Sequence, residues 1–367
     1  MSAEPPIRVA LDLTGLELDA AGSARAIRSL HAELEGRPEV ELLPLAQPRA
    51  GPRSGAARIW RGLQRELLYM PLQLPRRAVS AGAQLLHCPL GVAPVRSKLP
   101  LVVTVNDVMA VEHPEWFTRA NALQQRMVLP RTLRSAARVL CPSRYTREGL
   151  VELLGVEPSR VEVTPYGVGA PFRPGPPLDA VLERLRVSAP YVLSVGTLQP
   201  RKNLGAALQA FERVSAAGAP HALVVVGARG WHDERILERL AGSVAQERVR
   251  LLGRVSDEEL VELYRGADCL LFPSLYEGFG FPVLEAMACG TPVLCSNRTS
   301  LPELAGDAAA LVDPAEPDAL KSALAELLSS AALRRSLSAA GLARAAELSW
   351  SRCAELTAAA YRRALEP

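Results

Sequence analysis

Two carboxylates eight residues apart frame the most informative stretch of the sequence, Phe272–Pro292 (FPSLYEGFGFPVLEAMACGTP). Glu277 sits in a glycine-rich loop and Glu285 in the first turns of the helix that the following residues predict. Gly278 and Gly280 let the backbone approach a ligand closely, and the N–H groups opening a helix near Phe281–Leu284 would attract an anion such as phosphate. A carboxylate is a poor partner for that anion but a good acceptor for sugar hydroxyls. The pattern suggests a diphosphate with a sugar on each side. A second segment, Ser194–Leu204 (SVGTLQPRKNL), puts Arg201 and Lys202 between a strand end and a helix. Arginine offers a planar fork to phosphate oxygens and lysine a compact charge, a pair suited to neutralising a departing diphosphate when no metal is present. No Asp-x-Asp pair occupies a convincing loop, so the sequence demands no metal.

The elements that hold these groups must come from a chain of 367 residues, 49% apolar, with 30 prolines and 26 glycines, enough for about two domains that each bury a core. Charged residues make up 22% and the formal net charge is +3, too little bias for a disordered charged tail or a dedicated duplex-DNA binder, so nucleic acid is not an expected partner. The six cysteines are scattered through apolar runs with no C-x-x-C pair and read as reduced core residues. The opening residues carry no basic and apolar leader pattern, and no apolar run reaches membrane-spanning length. A cytoplasmic location is the expectation.

Apolar runs of strand length at Ile7–Leu13, Val40–Leu45, Gln84–Cys88, Leu101–Asn106, Arg138–Pro142 and Val161–Pro165 alternate with helical patterns at about Ser23–Leu34, Thr118–Ala136 and Tyr145–Leu154. Such alternation implies a parallel sheet covered on both faces. Gly167–Pro177 (GVGAPFRPGPP) is too rich in proline and glycine for regular structure and reads as a linker. Beyond it the alternation restarts with strands at Tyr191–Val195, Ala222–Val226, Val249–Leu252, Cys269–Phe272 and Pro292–Cys295, and ends in broken helix over Ala315–Leu365. The fold class is α/β, two doubly wound, Rossmann-like parallel-sheet domains facing a central cleft. Residues 1–170 form the first domain and 178–349 the second, with helix 350–367 packing back on the first. Ligands of such sheets bind beyond the carboxyl ends of the strands.

At this point the residues resemble a known family. EGFGFPVLE is similar to the E-x7-E signature of the retaining GT-B glycosyltransferases of family 4, and GTLQPRKNL resembles that family's donor-phosphate loop. LVVTVNDVMAVEHPEWF, CPSRYTREGLVELLGV, VTPYGV and AAGSARAIRSL resemble its N-domain segments, so the likeness covers most of the chain. The R-K-N-L pattern resembles a subgroup of bacterial mannosyltransferases of surface-polysaccharide assembly. The resemblance implies a hexosyltransferase whose donor is a GDP-, UDP- or dTDP-linked sugar and whose acceptor is a saccharide or a lipid-linked molecule, with no cofactor and no metal. It implies that Arg201 and Lys202 hold the diphosphate, Glu277 the donor sugar and Glu285 the ribose. Gly196, Thr197, Gly278, Phe279, Gly280, Phe281 and Pro282 would lie along the phosphates and sugar, the base near Gly253, Arg254 and Val255, and Gly22 would close over the donor. Asn106, before Asp107, stands where the family often has a histidine that contacts the donor sugar, and Thr197 follows Gly196 where many relatives have arginine. Two other readings accompany this one, a non-hydrolysing sugar-nucleotide epimerase and a nucleotide-sugar-binding protein with impaired turnover.

The five histidines His31, His87, His113, His221 and His232 are dispersed and read as structural. Arg58–Val79 (RIWRGLQRELLYMPLQLPRRAV) sets arginines beside apolar residues at roughly helical spacing. Packing of a helix on the sheet is the preferred reading, and peripheral contact with an anionic membrane is the alternative.

Overall fold

A computed structural model describes residues 5–17, 21–47, 65–230 and 234–366. The chain divides into two units, Met1–Tyr166 with Trp350–Pro367, and Gly167–Ser349. Among the described residues the first holds β1 (Ile7–Asp12), β2 (Val40–Leu45), β3 (Leu85–Cys88), β4 (Leu101–Thr104), β5 (Arg138–Cys141) and β6 (Val161–Val163), all parallel in the order β2-β1-β3-β4-β5-β6. β3 and β4 are buried at every residue, because helices cover both faces of a parallel sheet. That is why LLHC and LVVT read as unbroken apolar runs rather than as alternation.

The longer helices before the unit's last one are α1 (Ala21–Glu35), α2 (Leu74–Ser80, entered through a widely wound stretch over Arg65–Gln73), α3 (Arg119–Ser135) and α4 (Arg144–Glu152), among the described residues. Tyr69, Leu74, Leu129, Leu133 and Leu150 share one core cluster with β3, β4 and β5. The C-terminal helix, Trp350–Leu365, packs against β3, β4 and β5 and alongside α1. One polar anchor fixes it there. The His87 ring nitrogens lie 2.7 Å from the Tyr361 hydroxyl and 2.8 Å from Thr104 Oγ1, and burial pushes the imidazole pKa down to about 3, so the ring stays neutral. Its role is therefore to satisfy two buried hydroxyls in the core.

The second unit repeats the plan with β7 (Tyr191–Val195), β8 (Ala222–Val226), β9 (Val249–Gly253), β10 (Cys269–Phe272), β11 (Val293–Ser296) and β12 (Ala310–Val312), parallel in the order β12-β11-β10-β7-β8-β9. Its longer helices are α5 (Leu204–Ala216), α6 (Glu234–Ala241), α7 (Asp257–Gly266), α8 (Phe281–Cys289), α9 (Pro317–Ser329) and α10 (Ala331–Glu347). α5 packs against α9, and α8 against α10. α7 begins with a full capping box in which Ser256 and Glu259 satisfy each other's backbone N–H. α8 is buried from Val283 to Cys289 and ends at Gly290, whose φ of +80° suits glycine.

Several sequence boundaries shift. β4 stops at Thr104 and leaves Asn106 in the loop beyond it. α1 starts at Ala21, ahead of the pattern's start at Ser23, and takes Gly22 into its first turn. The three-residue β12 and the single-turn helix Asp179–Arg184 are too short to leave a periodic signal. Residues 58–64, the first part of the basic amphipathic stretch, and His232 lie outside the described residues.

Candidate active site

All strands of the second sheet run the same way, so the segments following β10, β7, β8 and β9 line up in that order along one edge. The β7 segment makes one tight turn, Pro200–Lys202, followed by Asn203 in the left-handed region at φ 53°, before α5 begins. That turn delivers Arg201 and Lys202 to the segment that follows β10. Leu275 N–H donates to the Arg201 carbonyl at 2.7 Å, and Ser274 Oγ lies 3.1 Å from the same oxygen.

Glu277 is the centre of the cluster. Lys202 Nζ donates to its Oε1 at 2.6 Å, Arg201 donates to its Oε2 at 3.0 Å, and Ser274 Oγ donates to Oε1 at 2.6 Å. Arg201 also donates to the Tyr276 carbonyl at 3.0 Å and to Gln199 Oε1 at 3.1 Å, which fixes the plane of the guanidinium. The Lys202 ammonium lies 4.9 Å from the centre of the Phe272 ring. Its aliphatic stem passes over Gly196, where an added Cβ would stand 3.2 Å from two of its carbons. Gly196 therefore makes room for a lysine as well as for a ligand.

Burial opposes the charge on Glu277, but Lys202 and Arg201 outweigh it and hold the carboxyl at about 2. Burial pushes Lys202 down to about 8, the neighbouring Arg201 adds to that fall, and Glu277 offsets part of it. Lys202 is thus mostly charged at pH 7 and loses its proton far more readily than an exposed lysine.

Glu285 is buried, accepts a hydrogen bond from Tyr264 at 3.1 Å, and is close enough to Lys202 to help keep it protonated. Gly280 caps α8 with φ 112°, and a Cβ there would stand 2.7 Å from Leu301 Cδ2, so both the backbone conformation and the packing favour glycine. The helix start offers less to an anion than the sequence implied. Pro282 has no N–H, and those of Val283 and Leu284 both donate to the Gly280 carbonyl. Phe279 and Phe281 pack edge to face at 5.2 Å, and Ser300 Oγ lies 2.9 Å from the carbonyl oxygens of both Glu277 and Phe279, its one hydrogen bonding one of them at a time, which ties down the loop around Gly278.

Gly196, Thr197, Arg201, Lys202, Glu277, Gly278, Phe279, Gly280, Phe281, Pro282 and Glu285 all belong to the strand-end segments of β7 and β10 or to α8. Arg254 and Val255 follow β9, two strands along the same edge, with Arg254 exposed. Asn106, Asp107 and Gly22 belong to the other unit. There the Asp107 carboxylate accepts the Met109 N–H at 3.0 Å and closes its own turn. Ser274, Ser300, Gln199 and Tyr264 were not singled out by sequence reasoning. Ser274 stands three residues before Glu277, a spacing that carried a signal, whereas nothing in the sequence tied Tyr264 of α7 to Glu285.

Residues 183–344 match the family described as "Glycosyl transferases group 1", and residues 20–170 match "Glycosyltransferase Family 4". The chain is 34% identical over 265 residues to O-antigen chain mannosyltransferase B of Escherichia coli, covering 71% of this chain and 70% of that protein. This chain belongs to the family 4 glycosyltransferases. It is also 34% identical over 193 residues to the serotype-specific mannosyltransferase WbdA of Escherichia coli, where the match takes 52% of this chain and only 24% of that longer protein. Among solved structures, sucrose-phosphate synthase from Thermosynechococcus elongatus superposes with a TM-score of 0.76 at 21% identity, over 97% of this chain and 98% of its own. HepE from Anabaena, in complex with UDP and glucose, superposes with a TM-score of 0.71 at 16% identity, over 97% and 99% of the two chains. The glycosyltransferase has the GT-B fold, with its two parallel sheets and flanking helices. No helix of its described residues is long and apolar enough to cross a membrane.

Proposed function

We propose that this glycosyltransferase moves a hexose, with mannose the first candidate, from a nucleotide-diphosphate sugar to a saccharide or lipid-linked acceptor, retaining the anomeric configuration and using no metal. The observation that carries this reading is the convergence of Arg201, Lys202 and Glu277 at the carboxyl ends of β7 and β10, beside the start of α8. The likeness to O-antigen chain mannosyltransferase B supports mannose and a place in surface-polysaccharide assembly. The shared fold with a protein solved with UDP and glucose supports a nucleotide-sugar donor, a GDP-, UDP- or dTDP-linked sugar.

In this mechanism the bond from C1 of the sugar to the diphosphate oxygen breaks as positive charge develops on the ring. Arg201 and Lys202 take up the negative charge that grows on the leaving oxygen. The acceptor oxygen bonds to C1 on the face the phosphate leaves, and its proton passes to the departing phosphate. Glu277 keeps the two cations charged and aimed before the donor arrives, and receives the donor's sugar hydroxyls. Glu285 serves the ribose, and Arg254 and Val255 the base.

A thermal-shift screen tests the reading, because a ligand that binds only the folded state must stabilise it, by about 2.7 kcal/mol at a hundred times Kd. GDP-mannose, UDP-glucose or dTDP-glucose is expected to raise the melting temperature, and Lys202→Ala to abolish that rise. Absence of a response to all three sinks the reading. A lipid-linked acceptor would bring the enzyme to a bilayer, and two helices of the first unit suit that. α3 has no acidic residue, and its exposed Leu123 and Met127 share the surface with exposed Arg126, Arg131 and Arg134. Leu68 and Leu72 are exposed beside α2, which itself exposes Arg76. Sedimentation with vesicles rich in phosphatidylglycerol is expected to carry the protein down at low salt and to lose it at high salt. Protein that stays in the supernatant at low salt removes the membrane contact.

A further inference from the structure

β11 ends at Ser296, and residues 297–300 after it reach the glycine-rich loop of the same unit. The segment is anchored at its start. Asn297 N–H donates to the Val312 carbonyl at 2.8 Å, Arg298 N–H to Ser296 Oγ at 3.1 Å, and Arg298 Nη2 to Asp313 Oδ1 at 2.8 Å. At its end two consecutive hydroxyls meet the backbone of Glu277: Thr299 Oγ1 accepts the Glu277 N–H at 3.1 Å, and Ser300 Oγ lies 2.9 Å from the Glu277 carbonyl oxygen. The direction of the first bond is fixed, because an N–H only donates, and the threonine's own hydrogen has the Arg298 carbonyl 2.8 Å away. Thr299 holds φ 57°, in the left-handed region that a β-branched residue rarely adopts. Such a conformation persists where its surroundings over-determine it. Glycine would take the same backbone without steric cost, but it has no hydroxyl to offer Glu277.

We propose that Thr299 is a positioning residue for donor binding: its hydroxyl accepts the N–H of the Tyr276–Glu277 peptide, fixes the plane of that peptide, and so aims the carbonyl and the carboxylate that hold Arg201 and Lys202. The inference rests on the reading of those two cations as the diphosphate contacts. Its physical basis is the planarity of the peptide unit, in which the N–H and the C=O turn together. The Tyr276 carbonyl, on the far side of the plane from the N–H that Thr299 takes, accepts from Arg201 at 3.0 Å. The next side chain along is the Glu277 carboxylate, with Lys202 Nζ at 2.6 Å and Arg201 Nη1 at 3.0 Å. Gly278 and Gly280 follow in a stretch whose backbone has little stiffness of its own, so the loop needs holding from outside. Without the hydroxyl the peptide can tilt, and the cations wait in more than one arrangement. Part of the donor's binding free energy then goes into ordering them.

The test compares wild type with Thr299→Ser, Thr299→Ala and Thr299→Gly, reading the affinity for whichever of GDP-mannose, UDP-glucose or dTDP-glucose binds and the melting temperature of the free protein. Thr299→Ser keeps the hydroxyl and is expected to bind within about twofold of the wild type, whereas Thr299→Ala and Thr299→Gly are expected to bind about fivefold more weakly, the size of one neutral hydrogen bond. Stability separates positioning from general support. In Thr299→Gly the eased backbone offsets the lost bond, so the melting temperature is expected to stay within about 3 °C of the wild type while the affinity falls. Should that variant be less stable, Thr299→Ser against Thr299→Ala decides, since both keep a Cβ on the left-handed backbone. Wild-type affinity in Thr299→Ala, or a loss that Thr299→Ser shares, would overturn the proposal. A second readout needs no ligand. Hydrogen exchange of the Glu277 amide is expected to quicken in Thr299→Ala and Thr299→Gly but not in Thr299→Ser, and unchanged exchange in all three overturns the proposal. If the wild type binds a nucleotide sugar through Lys202 while these comparisons fail, the enzyme reading stands and the positioning role falls. If the wild type binds none, both fall.

Discussion

The Lys202→Ala enzyme is expected to turn over its donor about 10²–10³-fold more slowly than the wild type, the usual cost of deleting one preorganised partner of developing charge. The fold should survive, because Glu277 would still be held by Arg201 and by Ser274 Oγ. The more discriminating measurement is the pH dependence of donor affinity. A group whose proton leaves at about 8 in the free enzyme, and which must be charged to meet a diphosphate, gains affinity for that proton when the anion binds. Donor affinity is therefore expected to be flat below pH 7.5 and to fall toward tenfold per unit above pH 8. Calorimetry near pH 8.5 should show proton uptake on binding. Lys202→Arg keeps the charge at every accessible pH, so its affinity should lose this alkaline decline even if its rate suffers from a longer side chain over Gly196. A wild-type affinity that stays level to pH 9.5 would show that Lys202 does not meet the diphosphate.

The parts of the fold legible in the sequence were those whose signal is local. Runs such as LVVT and YVLSV are apolar throughout because a central parallel strand is buried on both faces, and that pattern survives without any knowledge of neighbours. The ends of the elements were less legible. β4 gives up its pairing at Thr104 although Val105 is still buried, so the apolar run outlasts the strand. Within the site, Arg201, Lys202, Glu277 and Glu285 could be named because glycine-rich loops at strand ends bring chemistry-bearing side chains into a short window. Their mutual arrangement could not be read. The sequence suggested cations for the phosphate and a carboxylate for the sugar, while the structure ties both cations to that carboxylate before any ligand is present. Pairing of this kind spans 75 residues and depends on the turn at Pro200–Lys202 meeting the β10 segment, which no periodicity encodes.

Glu277→Gln separates the two duties assigned to that carboxylate. The amide keeps the shape and can still accept from Ser274, but it no longer offsets the burial of two cations. Removing one member of a buried ion pair commonly costs about 3–5 kcal/mol, and the remaining solvent access of Arg201 places this case toward the lower end. The folded-state pKa of Glu277 lies below its unfolded value, so the stability it contributes is complete above about pH 4.5 and is lost as pH falls toward 2. In Glu277→Gln that acid dependence should disappear, because the stabilisation is missing at every pH. The functional consequence follows from Lys202. Without Glu277 its pKa drops further below 8, because burial and Arg201 then act on it with less opposition. At pH 7.5 more of the variant's lysine is neutral than in the wild type, and that fraction must take up a proton for the donor to bind. Donor affinity in Glu277→Gln is therefore expected to be weak at pH 7.5 and to recover severalfold at pH 6, whereas wild-type affinity is unchanged over that interval. If the variant is equally weak at both pH values, Glu277 acts on the sugar alone, and keeping Lys202 charged is not part of its work.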